Sequence, residues 1–244
     1  MKLKLKPPLK FWSITQHFGE NGVSYYKTDG LKGHNGIDFY APDGTPVYAT
    51  HDGVVTFSGD DGSGGLGIVI RTTKKFNYGK KQSYYKTIYW HLKKGGIKVI
   101  ASQSVKTGDL IALADNTGRS TGSHLHYGLK PIYKGEKDWE WYNAEQTNGY
   151  KGSVNPMPYF DKPKFNPKRI LKLGCEGEDV KEMQGLLGSF GYWIVFDGKF
   201  GKRSENIVKD FQKKKGLKID GMVGKNTIDK LNDILDNTKV AIIR

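Results

Sequence analysis

The residues able to do chemistry are concentrated in the first half of the chain. All six histidines, at positions 17, 34, 51, 91, 124 and 126, precede residue 130. The sharpest cluster is Ser123-His124-Leu125-His126-Tyr127. In a strand, residues i and i+2 share a face, so both imidazoles enter one site while Leu125 turns away. Two adjacent imidazoles suit a metal or catalytic site better than core packing. A second cluster is Gly33-His34-Asn35-Gly36-Ile37-Asp38. Its two glycines argue against a helix. A turn running into the strand Ile37-Asp38-Phe39 can still aim both side chains at one ion, and a structural Asp–His hydrogen bond explains the pair equally well. The third, Tyr89-Trp90-His91-Leu92, ends an apolar strand on a histidine, which alone reads as structural.

Together the clusters offer three potential zinc ligands, two imidazoles and a carboxylate, with imidazoles to spare. Hydrolytic zinc sites keep three protein ligands and one open position. The ion makes a water acidic near neutral pH and polarises a carbonyl. Spare imidazoles can then move the proton and stabilise the oxyanion.

The elements that must position these groups read as two halves. Residues 11 to about 133 contain short apolar runs, such as Gly53-Val54-Val55-Thr56-Phe57, Gly67-Ile68-Val69-Ile70-Arg71, Thr87-Ile88-Tyr89-Trp90 and Leu110-Ile111-Ala112-Leu113. Gly, Asp, Asn and Pro separate them, which predicts an antiparallel β domain over residues 1–150. Four prolines between 151 and 168 predict a linker. Residues 169–244 then carry helical periodicity in three runs. These are Val180, Met183, Leu186 and Leu187; Ile207, Val208 and Phe211; and Ile228, Leu231 and Leu235. The fold class expected is a mainly antiparallel β domain followed by a small three-helix α domain. Asp197-Gly198-Lys199-Phe200-Gly201 is echoed by Asp220-Gly221-Met222-Val223-Gly224. Both are turns with too few carboxylates for calcium, and the helices after them are expected to be capped by Ser204 or its neighbours and by Asn226 or Thr227.

The chain has 244 residues, 36% of them hydrophobic and 26% charged, with a net charge of +14. It can bury a core, but no apolar run approaches the ~18 residues of a membrane span. The opening Met1-Lys2-Leu3-Lys4-Leu5-Lys6-Pro7-Pro8 has no apolar stretch resembling a secretory leader. With Cys175 as the one cysteine, no internal disulfide forms. The charge is spread along the chain and favours a polyanionic partner. The Lys74–Lys86 stretch, rich in lysine and aromatic residues, is compatible with single-stranded nucleic acid. That reading leaves the histidines unexplained, so no nucleic-acid partner is expected.

The string from Gly33 to Phe39, Ala41-Pro42-Asp43-Gly44-Thr45-Pro46-Val47, Asp52-Gly53-Val54-Val55, Tyr89-Trp90-His91-Leu92 and His124-Leu125-His126 resembles the lysostaphin-type zinc metallopeptidases. The likeness runs from about Ile14 to Tyr133. It implies cleavage of peptide bonds in bacterial peptidoglycan, with one zinc held by His34, Asp38 and His126. It also implies His91 and His124 as the catalytic imidazoles. His51 reads as a surface residue beside a turn. His17, Tyr127, Trp139 and Trp141 are candidates for lining the substrate groove.

The second half resembles the three-helix peptidoglycan-binding domain through Leu173-Gly174-Cys175-Glu176-Gly177-Glu178-Asp179-Val180, Gln184, Leu187, the two DGxxG turns, Phe211-Gln212 and Gly216-Leu217. The layout looks like a bacteriophage endolysin, held in the host cytoplasm before it reaches the wall, and a monomer is expected. A secreted wall-remodelling peptidase and a non-catalytic wall-binding protein are the alternatives. The insertions Lys74–Lys86 and Asp138–Tyr150 flank the expected site and either set specificity or form solvated tips.

Overall fold

The computed structural model describes residues 1–10, 13–22, 25–137, 141–161 and 164–237. The chain divides into two compact units. One takes in Met1–Lys10 and Ile14–Asp161, and the other the described residues after it.

The first unit contains β1 (Ile14–Gln16), a single helical turn α1 (Tyr25–Thr28), β2 (Ile37–Tyr40), β3 (Pro46–Tyr48), β4 (Gly53–Asp60), β5 (Leu66–Thr72) and β6 (Phe76–Tyr78). After these come β7 (Lys81–Trp90), β8 (Ser104–Val105), β9 (Leu110–Leu113), β10 (His124–Lys134) and β11 (Trp141–Asn143). Among the described residues nine strands form one sheet whose main path is β1-β2-β10-β7-β5-β4-β8, while β6 pairs with β7 and β11 with β10; β3 and β9 form a separate ribbon. The pairings are antiparallel, as the alternating pattern requires.

Alternation decides what each face does. Leu125, Tyr127 and Leu129 of β10 and Tyr85, Thr87 and Tyr89 of β7 turn into the core and are fully buried. The Tyr89 and Tyr127 rings pack edge-on at 5.3 Å, and the hydroxyls of both meet Thr50 Oγ1 at 2.9 Å. Burying those polar tips is tolerated because each is partnered.

One expectation is corrected, and two stretches pack more closely than their composition suggests. His51 is not a surface residue: it is 5% exposed, with Nδ1 bonded to the Asp52 carbonyl and Nε2 to Thr87 Oγ1, both at 2.9 Å. The described residues of the 151–168 stretch pack within the unit that each belongs to. Val154 N–H donates to Leu129, and Leu5 pairs with Phe160, whose ring packs on Phe39 and Tyr127. Further along, Phe165 is buried and exchanges backbone hydrogen bonds with the Asn232 amide. Prolines marked irregular backbone here, but the aromatic residues between them are apolar enough to pack. The Met1–Lys6 alternation likewise becomes an edge segment, with Leu3 and Leu5 buried.

The second unit contains α2 (Glu178–Ser189), α3 (Lys202–Lys214) and α4 (Lys225–Asn237). Val180, Met183, Leu186, Leu187, Val208, Phe211 and Leu231 form its apolar centre; the side chain of Leu235 lies outside the described residues. Arg169 clamps the start of α2, reaching Asp179 through two nitrogens at 2.8 and 3.0 Å.

The two DGxxG turns are held by the same device. Gln184 Oε1 accepts from Gly198 N–H, while Gln184 Nε2 donates to Asp197 Oδ1, the Lys199 carbonyl and Ser204 Oγ. Gln212 repeats this with Gly221, Asp220, Met222 and Thr227. Ser204 and Thr227 are therefore buried members of a clasp rather than exposed caps; the N-cap of α3 is Gly201, with no side-chain bond. Gly198 and Gly221 have φ of 74° and 72°, a conformation that favours glycine.

Candidate metal centre

The register of β2 on β10 sets Asp38 directly opposite His126, and on the other side His126 faces Trp90 of β7. His91, one residue beyond β7, thus arrives beside the same spot. It does so with φ of 62°, a left-handed conformation that costs energy in a non-glycine residue and that here turns the chain at the strand end. His34 comes from the turn before β2. Its N–H donates to the Glu20 carbonyl, and its own carbonyl accepts from Gly19.

Three atoms converge. His34 Nε2 lies 2.9 Å from His126 Nδ1 and 3.1 Å from Asp38 Oδ1, and His126 Nδ1 lies 3.0 Å from the same oxygen. His34 and Asp38 are 3% and 8% exposed. Among the described residues this is the one cluster of metal-ligating side chains with such convergence.

The donor set fits zinc. His34 Nδ1 donates to the His17 carbonyl at 3.2 Å, which leaves the lone pair of Nε2 facing the other two atoms. Bonds of ~2.0–2.1 Å in a tetrahedron place ligand atoms roughly 3.3 Å apart, so the triangle need open by only a few tenths of an ångström. Burial pushes the Asp38 carboxyl upward, but the adjoining imidazoles of His126 and His34 outweigh it and hold the group well below the usual carboxylate range. Burial pushes the His126 imidazole down, which keeps it neutral and able to ligate.

His91 and His124 stand beside the triangle, their rings 4.5 Å apart. Each is oriented through Nδ1. That of His91 donates to the Thr117 carbonyl at 2.8 Å and that of His124 to the Gly122 carbonyl at 2.7 Å. Both Nε2 atoms are left for the groove, and that of His124 is 3.5 Å from Asp38 Oδ2. Burial lowers the His91 pKa to about 4, so its ring is neutral near pH 7.

A groove of about 530 Å³ runs over all five residues and on to Ile88, Lys130, Lys151 and Ser153. Sequence reasoning brought together His34, Asp38, His91, His124 and His126. Its groove candidates fare differently. Tyr127 is corrected: it is fully buried on the opposite face of β10 from His126, and its hydroxyl bonds Thr50. Trp141 pairs with Lys134, eight residues along β10 from His126, lies under the Arg71 guanidinium and meets the Tyr84 ring edge-on. His17 contributes its backbone carbonyl to His34 rather than its ring. Trp139 lies outside the described residues. The orienting residues Thr117 and Gly122 were missed; the run Thr117-Gly118-Arg119-Ser120-Thr121-Gly122 before His124 was the available signal of a shaped loop. In the Lys74–Lys86 insertion, Phe76 and Tyr85 are buried and Tyr78 donates to Glu145 at 2.6 Å, so this hairpin is packed rather than free.

Comparison with known proteins adds the following. Residues 32–139 match the profile of Peptidase family M23, and residues 176–231 that of a putative peptidoglycan binding domain. The chain is 33% identical over 150 residues to the peptidoglycan DD-endopeptidase ShyC of Vibrio cholerae, covering 61% of this chain and 32% of that protein. It is 38% identical over 120 residues to the DD-carboxypeptidase/endopeptidase Mpg of Neisseria meningitidis, covering 49% and 25%. The chain thus spans about a third or less of the length of these curated relatives. The catalytic domain of lysostaphin from Staphylococcus simulans aligns with a TM-score of 0.45 at 22% identity, over 61% of this chain and 91% of that one.

Proposed function

We propose, for a chain whose residues 32–139 match Peptidase family M23 and whose residues 176–231 match a putative peptidoglycan binding domain, that it hydrolyses peptide bonds of bacterial peptidoglycan in a zinc-dependent reaction. The observation that carries this reading is the convergence of His34 Nε2, Asp38 Oδ1 and His126 Nδ1 at the floor of an open groove. These three residues hold the ion. Zinc bound there supplies Lewis acidity to a substrate carbonyl and makes a water acidic near neutral pH.

The chain's own groups do the rest. In the tautomer whose Nδ1–H is tied to a backbone carbonyl, His91 and His124 each turn a bare Nε2 to the groove. Each is therefore an acceptor first, suited to taking the proton of the attacking water. Once protonated, the same Nε2–H donates to the oxyanion or to the leaving amine. The fixed rings keep reorganisation small as charge develops.

The bond cut is the D,D cross-link between stem peptides, a preference supported by the names of the relatives. The helical module holds the enzyme on its polymeric substrate and raises the local concentration of the catalytic unit. One chain supplies all five site residues, so the proposed site needs no partner subunit. The protein works as a lytic enzyme of the bacteriophage endolysin kind, which waits in the host cytoplasm; a single cysteine and no disulfide suit that compartment.

The test is mass spectrometry of purified peptidoglycan digested with and without a zinc chelator. Chelator-sensitive release of new amino termini, without new reducing ends, is expected. New reducing ends mean a glycosidase and overturn the reading. Addition to intact cells, against expression with a membrane-permeabilising partner, separates a secreted enzyme from an endolysin.

A further inference from the structure

On the face of β10 that carries His124 and His126, the next positions along are Gly128, which has no side chain, and Lys130. The register puts Lys130 directly opposite Lys86 of β7, and Lys86 directly opposite Arg71 of β5. Three cations thus stand side by side across three adjacent strands, an arrangement that is repulsive by itself. Burial lowers the pKa of all three, so water does not fully relieve the repulsion. Lys151 adds a fourth positive field at Lys130. Asp61 on the groove rim offsets part of it, but among the described residues none of the four cations makes an ion pair.

Two buried polar atoms point to something missing. Ser153, which lines the groove with Lys130 and Lys151, is 1% exposed, and its hydroxyl has no hydrogen-bond partner. Arg71 Nε is also buried without a partner, although the guanidinium stacks 4.0 Å from the Trp141 ring centroid. Unsatisfied donors beside clustered cations are costly unless an anion completes them.

We propose that Lys130, Lys151 and Ser153, with Lys86 and Arg71 adding charge from the adjacent strands, form an anion subsite at the far end of the groove, which takes a carboxylate of the substrate peptide. Lys130 is four residues from His126 on one strand, ~13 Å at the usual rise. The carboxylate therefore belongs to the peptide within about four residues of the cleaved bond. Cross-linked stem peptides carry such free carboxylates. This inference rests on the peptidase reading above and deepens it, because the subsite would discriminate between walls whose stem-peptide carboxyls are free and walls in which they are amidated.

The experiment is calorimetric binding to the full, metal-free chain of a purified cross-linked muropeptide dimer and of the same dimer with its carboxyls amidated. A charge-assisted bond lost on amidation weakens binding at least about tenfold, and Lys130→Gln or Ser153→Ala shrinks that preference to under about threefold. Equal affinities for the two dimers, or a preference that survives in a folded Lys130→Gln chain, overturn the subsite. Lys86→Gln is the second variant should Lys130→Gln fail to fold. Digestion of the same dimer by the zinc-loaded chain reports separately on the peptidase. Preference without cleavage keeps the subsite and removes the endopeptidase, while cleavage without preference does the reverse.

Discussion

A β-carbon on Gly36 would stand 2.6 Å from Cε1 of His126 and equally close to the carbonyl oxygen of Tyr127. The absence of a side chain at Gly36 is what lets the His126 ring lie where Nδ1 meets Asp38. Gly36→Ala is expected to push the ring aside and weaken zinc binding about 10–100-fold, as loss of outer support does at other zinc sites. Chelator competition measures this, and unchanged affinity would count against the role given to Gly36.

The ligand set and the proton-moving set should separate cleanly. His34→Ala and His126→Ala are expected to lose stoichiometric zinc and all turnover. His91→Ala and His124→Ala are expected to keep zinc and lose about 10²–10⁴-fold in turnover. Metal analysis beside muropeptide hydrolysis decides it; a His91→Ala enzyme retaining more than about a tenth of the rate breaks the assignment.

Zinc should also stabilise the fold. The ion binds His34, Asp38 and His126 as they stand in the native state and has no such site in the unfolded chain. Adding excess zinc to stripped protein is therefore expected to raise the melting temperature of the β unit. Asp38→Asn should blunt that rise. A melting curve indifferent to zinc speaks against the triangle.

His51 makes stability depend on pH. Its ordinary pKa of 6.5 falls to about 4 in the fold because burial disfavours the charged ring. The unfolded chain therefore binds the extra proton first as pH falls. Stability is full above about pH 6.5 and is lost progressively down to about pH 4, by on the order of 3 kcal/mol. Replacing His51 with Gln should flatten that slope in melting experiments between those pH values. A slope identical to wild type would remove His51 as the cause.

Gln184 and Gln212 each satisfy a buried glycine N–H and several acceptors. Truncating either to alanine leaves these groups unpaired and is expected to cost about 1–3 kcal/mol. Denaturant titration of each variant checks it, with the loss confined to the helical transition.

Much of the site was legible because its chemistry depends on residue type and strand parity. His124 and His126 sit two apart, so their shared face follows from the pleat alone, and Asp38 joins them through the same parity on β2. What escaped was anything set by neighbours distant in sequence. His51 looked like a turn residue, since nothing local announces Thr87 Oγ1 as its partner. Tyr127 has the type of a groove aromatic but the parity of a core residue, and parity decides. The stretch 151–168 carries turn composition, yet Phe160 and Phe165 pack because the aromatic area they bury outweighs the irregular backbone around them. The cation row needed the register: Arg71, Lys86 and Lys130 are unremarkable until the strands are placed side by side.

The twin glutamine clasps have a dynamic consequence. Helix α3 supplies Ser204 to one clasp and Gln212 to the other, eight residues and ~12 Å apart along its axis. Neither end of α3 can fray without opening a clasp, and either opening loosens the helix the other depends on. The amide protons of Gly198 and Gly221 should therefore exchange with solvent at a common rate, as one cooperative opening unit. A helical unit so wired opens all at once or not at all.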